Sequence, residues 1–496
     1  MGQGWTVLMG LAFVPVYINY LGIEAYGLIG IFAMLQAWLT LLDMGMTPTI
    51  SREMARFTGG AHDERSIRDL LRSVEFIALG VAGLIAVGIW ASSTWLASEW
   101  LRVEALPAPE VAQAFTIMGV VTAFRFVEGI YRSSIVGLQR QVVLNVVNSA
   151  MATIRGLGAI GVLAWISPGI EAFFLWQGFI SLVTLLLFAK LTYLALPRGD
   201  HPGRFSADAL KDVWRYAAGM IGITFLALLL TQVDKVLLSN LLSLSDYGYY
   251  ALASAVAGTL YMLASPITQA FFPRFSELYA NGDQAQLNQA YHRGAQLVSV
   301  LMGSAALVLI VFSEVVLRLW TQDAHLAARS ATLLSILCLG NLLNGLMWIP
   351  HQIQLAFGWT GLGVRINMVS VALIVPAILW AVPRYGAEGA AWVWVSLNTG
   401  YVLLGIHFMY RKILTSQKWR WYAQDVVKPL FFAAAPASIS AWLMPEQMCI
   451  LAQFAWLLAA SGLTLTSAAL SARSVREPVL AMIREFYRTK IAAGAT

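Results

Sequence analysis

Runs of about twenty almost uninterrupted apolar residues recur from one end of this chain to the other. No other feature restricts its fold so strongly, because each run is long enough to cross roughly 30 Å of hydrocarbon as an α-helix. The chain has 496 residues, 59% hydrophobic and only 12% charged. Soluble domains run near half apolar and about one quarter charged, so a soluble chain could not hide this much apolar surface. The expected fold is an all-α polytopic membrane protein.

Fourteen spans are expected, near 3–21, 26–49, 73–97, 111–136, 143–166, 171–193, 217–241, 247–272, 294–313, 326–353, 363–383, 389–409, 427–444 and 451–472. The first has neither a basic n-region nor a small-residue cleavage site, so it reads as a helix and not as a signal peptide. It begins almost at Met1 and is short for a span, so part of the natural start is expected to be missing. Loop charge tests the layout independently. With the N-terminus in the cytoplasm, 25 of the 32 Lys and Arg fall in inside segments and four in outside loops, leaving Arg125, Arg155 and Lys235 within spans. That bias follows the positive-inside rule and puts both termini in the cytoplasm. The net charge of +6 is then mostly topological, basic loops facing anionic headgroups, and calls for no nucleic-acid partner. Cys338 within a span and Cys449 near an outer loop indicate neither a disulfide framework nor a metal site.

The chain also repeats itself. "YLGIEAYGLIGIFAML" aligns with "LLSLSDYGYYALASAV", matching Tyr26-Gly27 to Tyr247-Gly248. The inner loops that follow match as well, "REMARFTGG" from Arg52 against "RFSELYANGD" from Arg274. Asn148 falls opposite Asn367 and "GIEA" at Gly169 opposite "GAEG" at Gly386, so the four offsets are 221, 222, 219 and 217. Six spans separate the copies, an even number, so the repeats are parallel and related by an axis along the membrane normal. The implied architecture is two parallel six-helix lobes around a central cleft, residues 1–193 and 217–409, joined by a cytoplasmic linker, 194–216. Residues 410–496 supply two additional transmembrane helices and a cytoplasmic tail. Two lobes about a cleft suit alternating-access transport.

Polar groups within hydrocarbon must face protein or water. Span two places Gln36, Thr40, Asp43 and Thr47 on one stripe. Span five carries Asn145, Asn148 and Arg155; span ten Asn341, Asn344, Trp348 and His351; span seven Thr224, Thr231 and Lys235. Span four holds Arg125, Glu128 and Arg132 at i, i+3 and i+7. The amides of span ten either line a cavity or join helices, and the span-four series is either a cavity face or a self-neutralising set. Arg155 has no acidic residue within a turn. Asp234 and Lys235 are neighbours on a helix, which do not face each other, so each is expected to find a partner elsewhere. Arg125, Arg155 and Lys235 in one central cleft would attract an anionic substrate, with guanidinium forks suited to phosphate oxygens. The 18 Trp and 17 Tyr are chiefly interfacial belt residues, and cavity aromatics such as Trp348 could stack on sugars.

At these residues the chain resembles a known family. "YLGIEAYGLIG", "LLDMGM" with a following Arg, "QVDKVLLSNLLSLSDYGYYALA" and "FFPRFSELYANGD", in that order, resemble the polysaccharide-transporter branch of the multidrug/oligosaccharidyl-lipid/polysaccharide flippase superfamily, the Wzx-type flippases. The resemblance covers spans one to twelve. It implies a two-lobe inner-membrane protein that moves undecaprenyl-pyrophosphate-linked oligosaccharide from the inner to the outer leaflet. It further implies a cationic cavity, acids at Asp43 and Asp234, and contact with a polysaccharide polymerase and chain-length machinery. The shortened first span departs from the family pattern on the entry side of lobe one.

Three function classes compete. As a flippase, the chain would hold the pyrophosphate-sugar head with Arg125, Arg155 and Lys235 while the lipid tail stays in the bilayer. There is no G-x-x-x-x-G-K-[ST], so an H+ or Na+ gradient is the expected drive, with Asp43, Glu128 or Asp234 as ion site or salt-bridge partner. A cation-coupled multidrug exporter of the same fold would instead have a cavity dominated by acids and aromatics. A membrane polymerase or glycosyltransferase would need a sizeable outer loop or paired outer carboxylates. Glu99, Glu104 and Glu110, the only outer acidic cluster, read as a solvated loop. No cofactor, metal or catalytic residue is expected, and the chain is read as a transporter and not as an enzyme.

Overall fold

The computed structural model describes residues 2–43, 45–197, 203–206, 225–226, 228–359 and 361–477. These residues are helical almost throughout; among them there is no strand, and a single isolated bridge joins Arg102 to Ser243. Ten helical segments among them are long and apolar enough to cross a membrane, against the fourteen spans expected. Part of the difference is merging. Spans eleven and twelve lie in one helical segment, Gly361–Tyr410, whose backbone departs from helical angles at Gly386. Span thirteen is the short helix Lys428–Trp442, preceded by a π-helical stretch, Trp421–Val427. The start of span seven, with Thr224, and most of the linker lie outside the described residues.

The chain divides into two compact units, Met1–Ala251 and Leu252–Thr496. The first contains α1 (Gly2–Ala12), α2 (Val14–Leu42), α3 (Met46–Thr58), α4 (Glu64–Trp95), α5 (Ala108–Gly137), α6 (Gln141–Trp165), α7 (Ile170–Ala195) and α8 (residues 228–241). Helix α5 is its axis, packed against α2, α3, α4, α6 and α7. A Cβ on Gly137 would come within 2.2 Å of the Ser51 carbonyl, so α3 and α5 meet at a glycine.

Span two was expected to run unbroken to residue 49, yet α2 stops at Leu42. The carboxylate of Asp43 accepts from the Thr47 backbone N–H at 3.1 and 3.2 Å and from its hydroxyl at 2.8 Å. Gly45 follows in the left-handed conformation, with φ 77°. A local acceptor four residues upstream thus takes over Thr47's N–H and starts a new helix. That helix, α3, buries Met46, Ile50, Glu53 and Met54.

Helix α9 (Leu244–Gly258) crosses the unit boundary, and its first half packs within the first unit. There the Tyr-Gly repeat has a structural meaning. A Cβ on Gly27 would lie 2.6 Å from the Leu244 carbonyl, and one on Gly248 would lie 2.3 Å from the Ile23 carbonyl. Ile23 and Leu244, like Gly27 and Gly248, are 221 positions apart. The contact is therefore reciprocal, the signature of a local two-fold axis. A Cβ on Gly30 would stand 2.7 Å from the Cβ of Ala251, its own counterpart in the repeat.

The second unit contains α10 (Tyr261–Ala280), α11 (Gln284–Val311), α12 (Ser313–Thr321), α13 (Ala324–Leu346), α14 (Trp348–Ala356), α15 (Gly361–Gly400), α16 (Ile406–Tyr410), α17 (Lys418–Arg420), α18 (Lys428–Trp442) and α19 (Ile450–Ser471). Helices α18 and α19 pack on each other and on α11. A buried polar network fixes that arrangement. His292 Nδ1 pairs with Asp425 Oδ2, its Nε2 meets Gln417 Oε1 at 2.9 Å, and Gln296 donates to Asp425 Oδ1 at 2.8 Å.

The duplication is also written in the backbone. In the first unit Gly60 N–H donates to the Phe57 carbonyl and Ala61 N–H to that of Arg56; in the second, Gly282 donates to Tyr279 and Asp283 to Leu278. These are the paired bonds of a helix stop that needs a left-handed residue, and Gly60 and Gly282 have φ of 82° and 70°.

Candidate functional site

Helix α5 carries Arg125, Glu128 and Arg132 on one face. Opposite it, the end of α2 brings Gln36 and Asp43, the start of α3 brings Thr47, and α6 brings Arg155. Together with Leu39, Phe126 and Gly129 these residues line a cavity of about 410 Å³ within the first unit. Three guanidinium groups against two carboxylates leave it net positive.

Arg125 is held by neutral partners. Its Nε donates to Ser181 Oγ and its Nη2 to Gln177 Oε1, both at 3.3 Å, and its guanidinium lies 4.8 Å from the centroid of the Phe32 ring. Arg155 Nε is buried and makes no hydrogen bond among the described residues. No ion pair within 4.0 Å among the described residues involves Arg125, Glu128, Arg132, Arg155 or Asp43. The span-four charges thus form no tight self-neutralising set, and share one cavity instead. A half-buried guanidinium held by neutral groups alone is only partly compensated for desolvation, so it gains from an anion.

The other sequence candidates distribute as follows. Gln36 lines the cavity and also donates to Thr122 Oγ1 at 2.9 Å, joining α2 to α5. The side chain of Thr40 lies outside the described residues. Asn145 and Asn148 lie on α6 two to three turns before Arg155 and do not line the cavity. Lys235 is not among the lining residues either: its Nζ donates to the Thr231 carbonyl at 2.9 Å and lies 3.7 Å from Asp234 Oδ1. The expectation that these two sequence neighbours would not face each other is corrected here, because the flexible lysine stem bends back along its own helix. Asp234 Oδ2 also accepts from the Tyr250 hydroxyl at 2.7 Å. Asn341, Asn344 and Trp348 lie in the second unit, where Trp348 donates to Asn344, Asn344 donates to Asn398, and Asn341 accepts from Trp394.

Sequence reasoning missed Gln177, Ser181 and Phe32, the three groups that hold Arg125. The spacing of Gln177 and Ser181, i and i+4 on an otherwise apolar span, was the available signal.

Residues 1–279 match a family model described as polysaccharide biosynthesis protein, and residues 220–380 match the MatE model. A putative O-antigen transporter of Shigella flexneri is 20% identical over 378 residues, spanning 75% of this chain and 87% of that protein. Among solved structures, the lipid II flippase MurJ in an inward closed conformation is similar, with a TM-score of 0.65 at 12% identity, covering 93% of this chain and 96% of that one. An inward-facing multidrug resistance MATE family transporter of the MOP superfamily gives a TM-score of 0.64 at 13% identity, covering 83% and 96%. At such identities the structural likeness establishes the all-helical two-lobe fold and not the cargo.

Proposed function

This chain belongs to the polysaccharide biosynthesis protein family, and from that premise we propose that it is a flippase for undecaprenyl-pyrophosphate-linked oligosaccharide. The cargo would be an O-antigen, capsule or exopolysaccharide repeat unit, moved from the cytoplasmic to the periplasmic leaflet of a bacterial inner membrane by alternating access. Both termini would be cytoplasmic, as the loop charge requires. The observation that carries this reading is the pair Arg125 and Arg155, half-buried in one cavity of about 410 Å³ with no carboxylate ion pair among the described residues. A pyrophosphate entering there replaces water with charge-assisted hydrogen bonds. Arg132, exposed on the same α5 face, extends the positive field outward and steers the anion in. The similarity to a putative O-antigen transporter supports the same cargo class.

Asp43 and Glu128 share the cavity with the arginines, which makes them the better-placed candidates for an ion-coupling site. A proton or Na+ bound there in one state and released in the other would link the gradient to the cycle. Asp234 is engaged with Tyr250 and Lys235 instead. The second reading, a cation-coupled multidrug exporter, draws on the match of residues 220–380 to the MatE model. The net positive charge of the cavity disfavours a cationic drug.

The test is transfer of lipid-linked oligosaccharide between leaflets of proteoliposomes. Each charge-assisted hydrogen bond is worth about 1.5–3 kcal/mol, so Arg125→Ala or Arg155→Ala should slow transfer roughly tenfold to a hundredfold. Arg155→Lys should recover part of it, keeping charge but not the fork. Undiminished transfer in both alanine variants would overturn the anion site. In the same assay, loss of gradient dependence is expected on Asp43→Asn or Glu128→Gln; if it survives in both and in Asp234→Asn, the ion site is abandoned.

A further inference from the structure

The second unit holds a polar face that the cationic cavity does not account for. On α13 and α14, Asn344, Trp348 and His351 recur at i, i+4 and i+7 and share one side of the helix. That side leaves polar and aromatic groups partly or fully exposed. Leu342, Leu346 and Ile349 are buried, whereas Asn344 and Trp348 are partly exposed and His351 is exposed. Amides and imidazoles turned towards hydrocarbon are costly and rare, so an open face carrying them lines water.

An aromatic pair is fixed on that face. Tyr261 of α10 stacks on Trp348 with the ring planes within 1° of parallel and centroids 5.2 Å apart. The polar edges are locked. Trp348 Nε1 donates to Asn344 Oδ1 at 3.2 Å, and Asn344 Nδ2 donates to Asn398 Oδ1 at 2.8 Å. The Tyr261 hydroxyl and Trp394 Nε1 both donate to Asn341 Oδ1, at 3.1 and 2.9 Å. An indole nitrogen only donates, which fixes the Asn341 amide and turns its nitrogen to the other side. Every group in this network is neutral.

We propose that the Tyr261–Trp348 pair is a carbohydrate platform, taking a pyranose ring of the cargo on its open aromatic surface. The proposal rests on the flippase reading and divides its substrate by chemistry. The platform's neutral groups suit the sugar portion of the cargo and not its pyrophosphate. A pyranose presents an apolar C–H face and a rim of hydroxyls. Rigid amphipathic rings with fixed amide edges match both at little entropic cost, since each ring has only two side-chain torsions to lose. Asn side chains also join transmembrane helices, and the bonds between Asn341, Asn344 and their partners do so here. Helix joining alone would not require Trp348 to stay partly exposed or His351 exposed.

The test uses the full chain in nanodiscs and two probes: undecaprenyl pyrophosphate without sugar, and the same lipid carrying the oligosaccharide extracted from the source cell. The readout is the ratio of the two affinities. The wild type should prefer the glycosylated lipid by roughly fivefold to tenfold, the range that aromatic contacts supply. Trp348→Leu should bring the ratio close to one, and Trp348→Phe, which keeps a ring without the donor, should retain part of it. Arg155→Ala should weaken both lipids and keep their ratio. A wild type that does not distinguish the lipids, or a Trp348→Leu variant with an undiminished ratio, overturns the platform. If Arg155→Ala binds the sugar-free lipid as the wild type does while Trp348→Leu loses the ratio, the anion site fails and the platform stands. Should Trp348→Leu not fold, the ratio in Trp348→Phe and Tyr261→Phe decides, and a full ratio in both overturns the platform.

Discussion

At the scale of single residues, the charges of the first unit differ less in their position along the sequence than in what answers them. Asp43 is committed to Thr47 and starts α3, yet it lines the cavity as well, so the same carboxylate serves as helix cap and cavity wall. Glu53, further along α3, is answered more fully. Its carboxylate meets His62 Nε2 at 2.6 Å, Arg56 Nη1 at 3.0 Å and Arg52 Nε at 3.5 Å. Burial by itself raises its pKa, but the His62 hydrogen bond and the two guanidinium groups outweigh that and hold it below its ordinary value of 4.5. A carboxyl depressed on folding contributes stability that is present above the unfolded value and is lost as pH falls through the folded one. Thermal melting of the detergent-solubilised protein should therefore show a stabilising contribution from Glu53 at neutral pH that fades as the pH drops below about 4.5. Glu53→Gln should flatten that part of the profile, and a parallel profile in the variant would show that the depression has no energetic weight.

At the scale of elements, the repeated Tyr-Gly phrase acts through its glycines. Gly27 and Gly248 each admit a carbonyl of the other copy's helix, that of Leu244 at 2.6 Å and that of Ile23 at 2.3 Å from where a Cβ would stand. A backbone carbonyl has no flexible end to swing aside, so a methyl group there forces the helices apart. Gly27→Ala and Gly248→Ala should each destabilise by about 1–3 kcal/mol, the usual cost of overpacking. Because the two contacts are equivalent and share one helix pair, the double variant should cost less than the sum. Melting temperatures of the three variants check this; additive losses would mean that the two glycines act independently. The repeat itself was legible in the sequence from Tyr26-Gly27 and Tyr247-Gly248. Its reciprocity was not, because nothing in a local alignment says which residues of one copy touch the other.

At the scale of the whole molecule, the two additional C-terminal helices are tied into the second unit through one buried acid and one buried imidazole. Asp425 and His292 are 0% and 1% exposed. The amide of Gln296 joins them and accepts from the Ser474 backbone N–H at 2.9 Å, so α11 holds the chain on both sides of α18 and α19. Removing one partner of a buried pair strands the other, at about 3–5 kcal/mol. His292→Ala and Asp425→Ala should each lower the melting temperature strongly, whereas replacing both by apolar residues of similar volume should recover much of the loss. A double variant as unstable as either single one would locate the stability elsewhere in the interface. Sequence alone determined that this chain is a helical, duplicated membrane protein. Hydropathy, loop charge and repeat offset are properties that accumulate along a chain and survive errors at any one residue. It also singled out Arg125, Arg155 and Asp43, since a charge in an apolar run stands out whatever surrounds it. Only the tertiary structure decided which of those charges are answered. Lys235 bends back to Asp234, Arg125 leans on Gln177, Ser181 and Phe32, and Arg155 Nε is left without a hydrogen bond among the described residues. Whether a charge is paired depends on the few ångströms between side chains distant in sequence, and spacing along one helix carries no record of that distance.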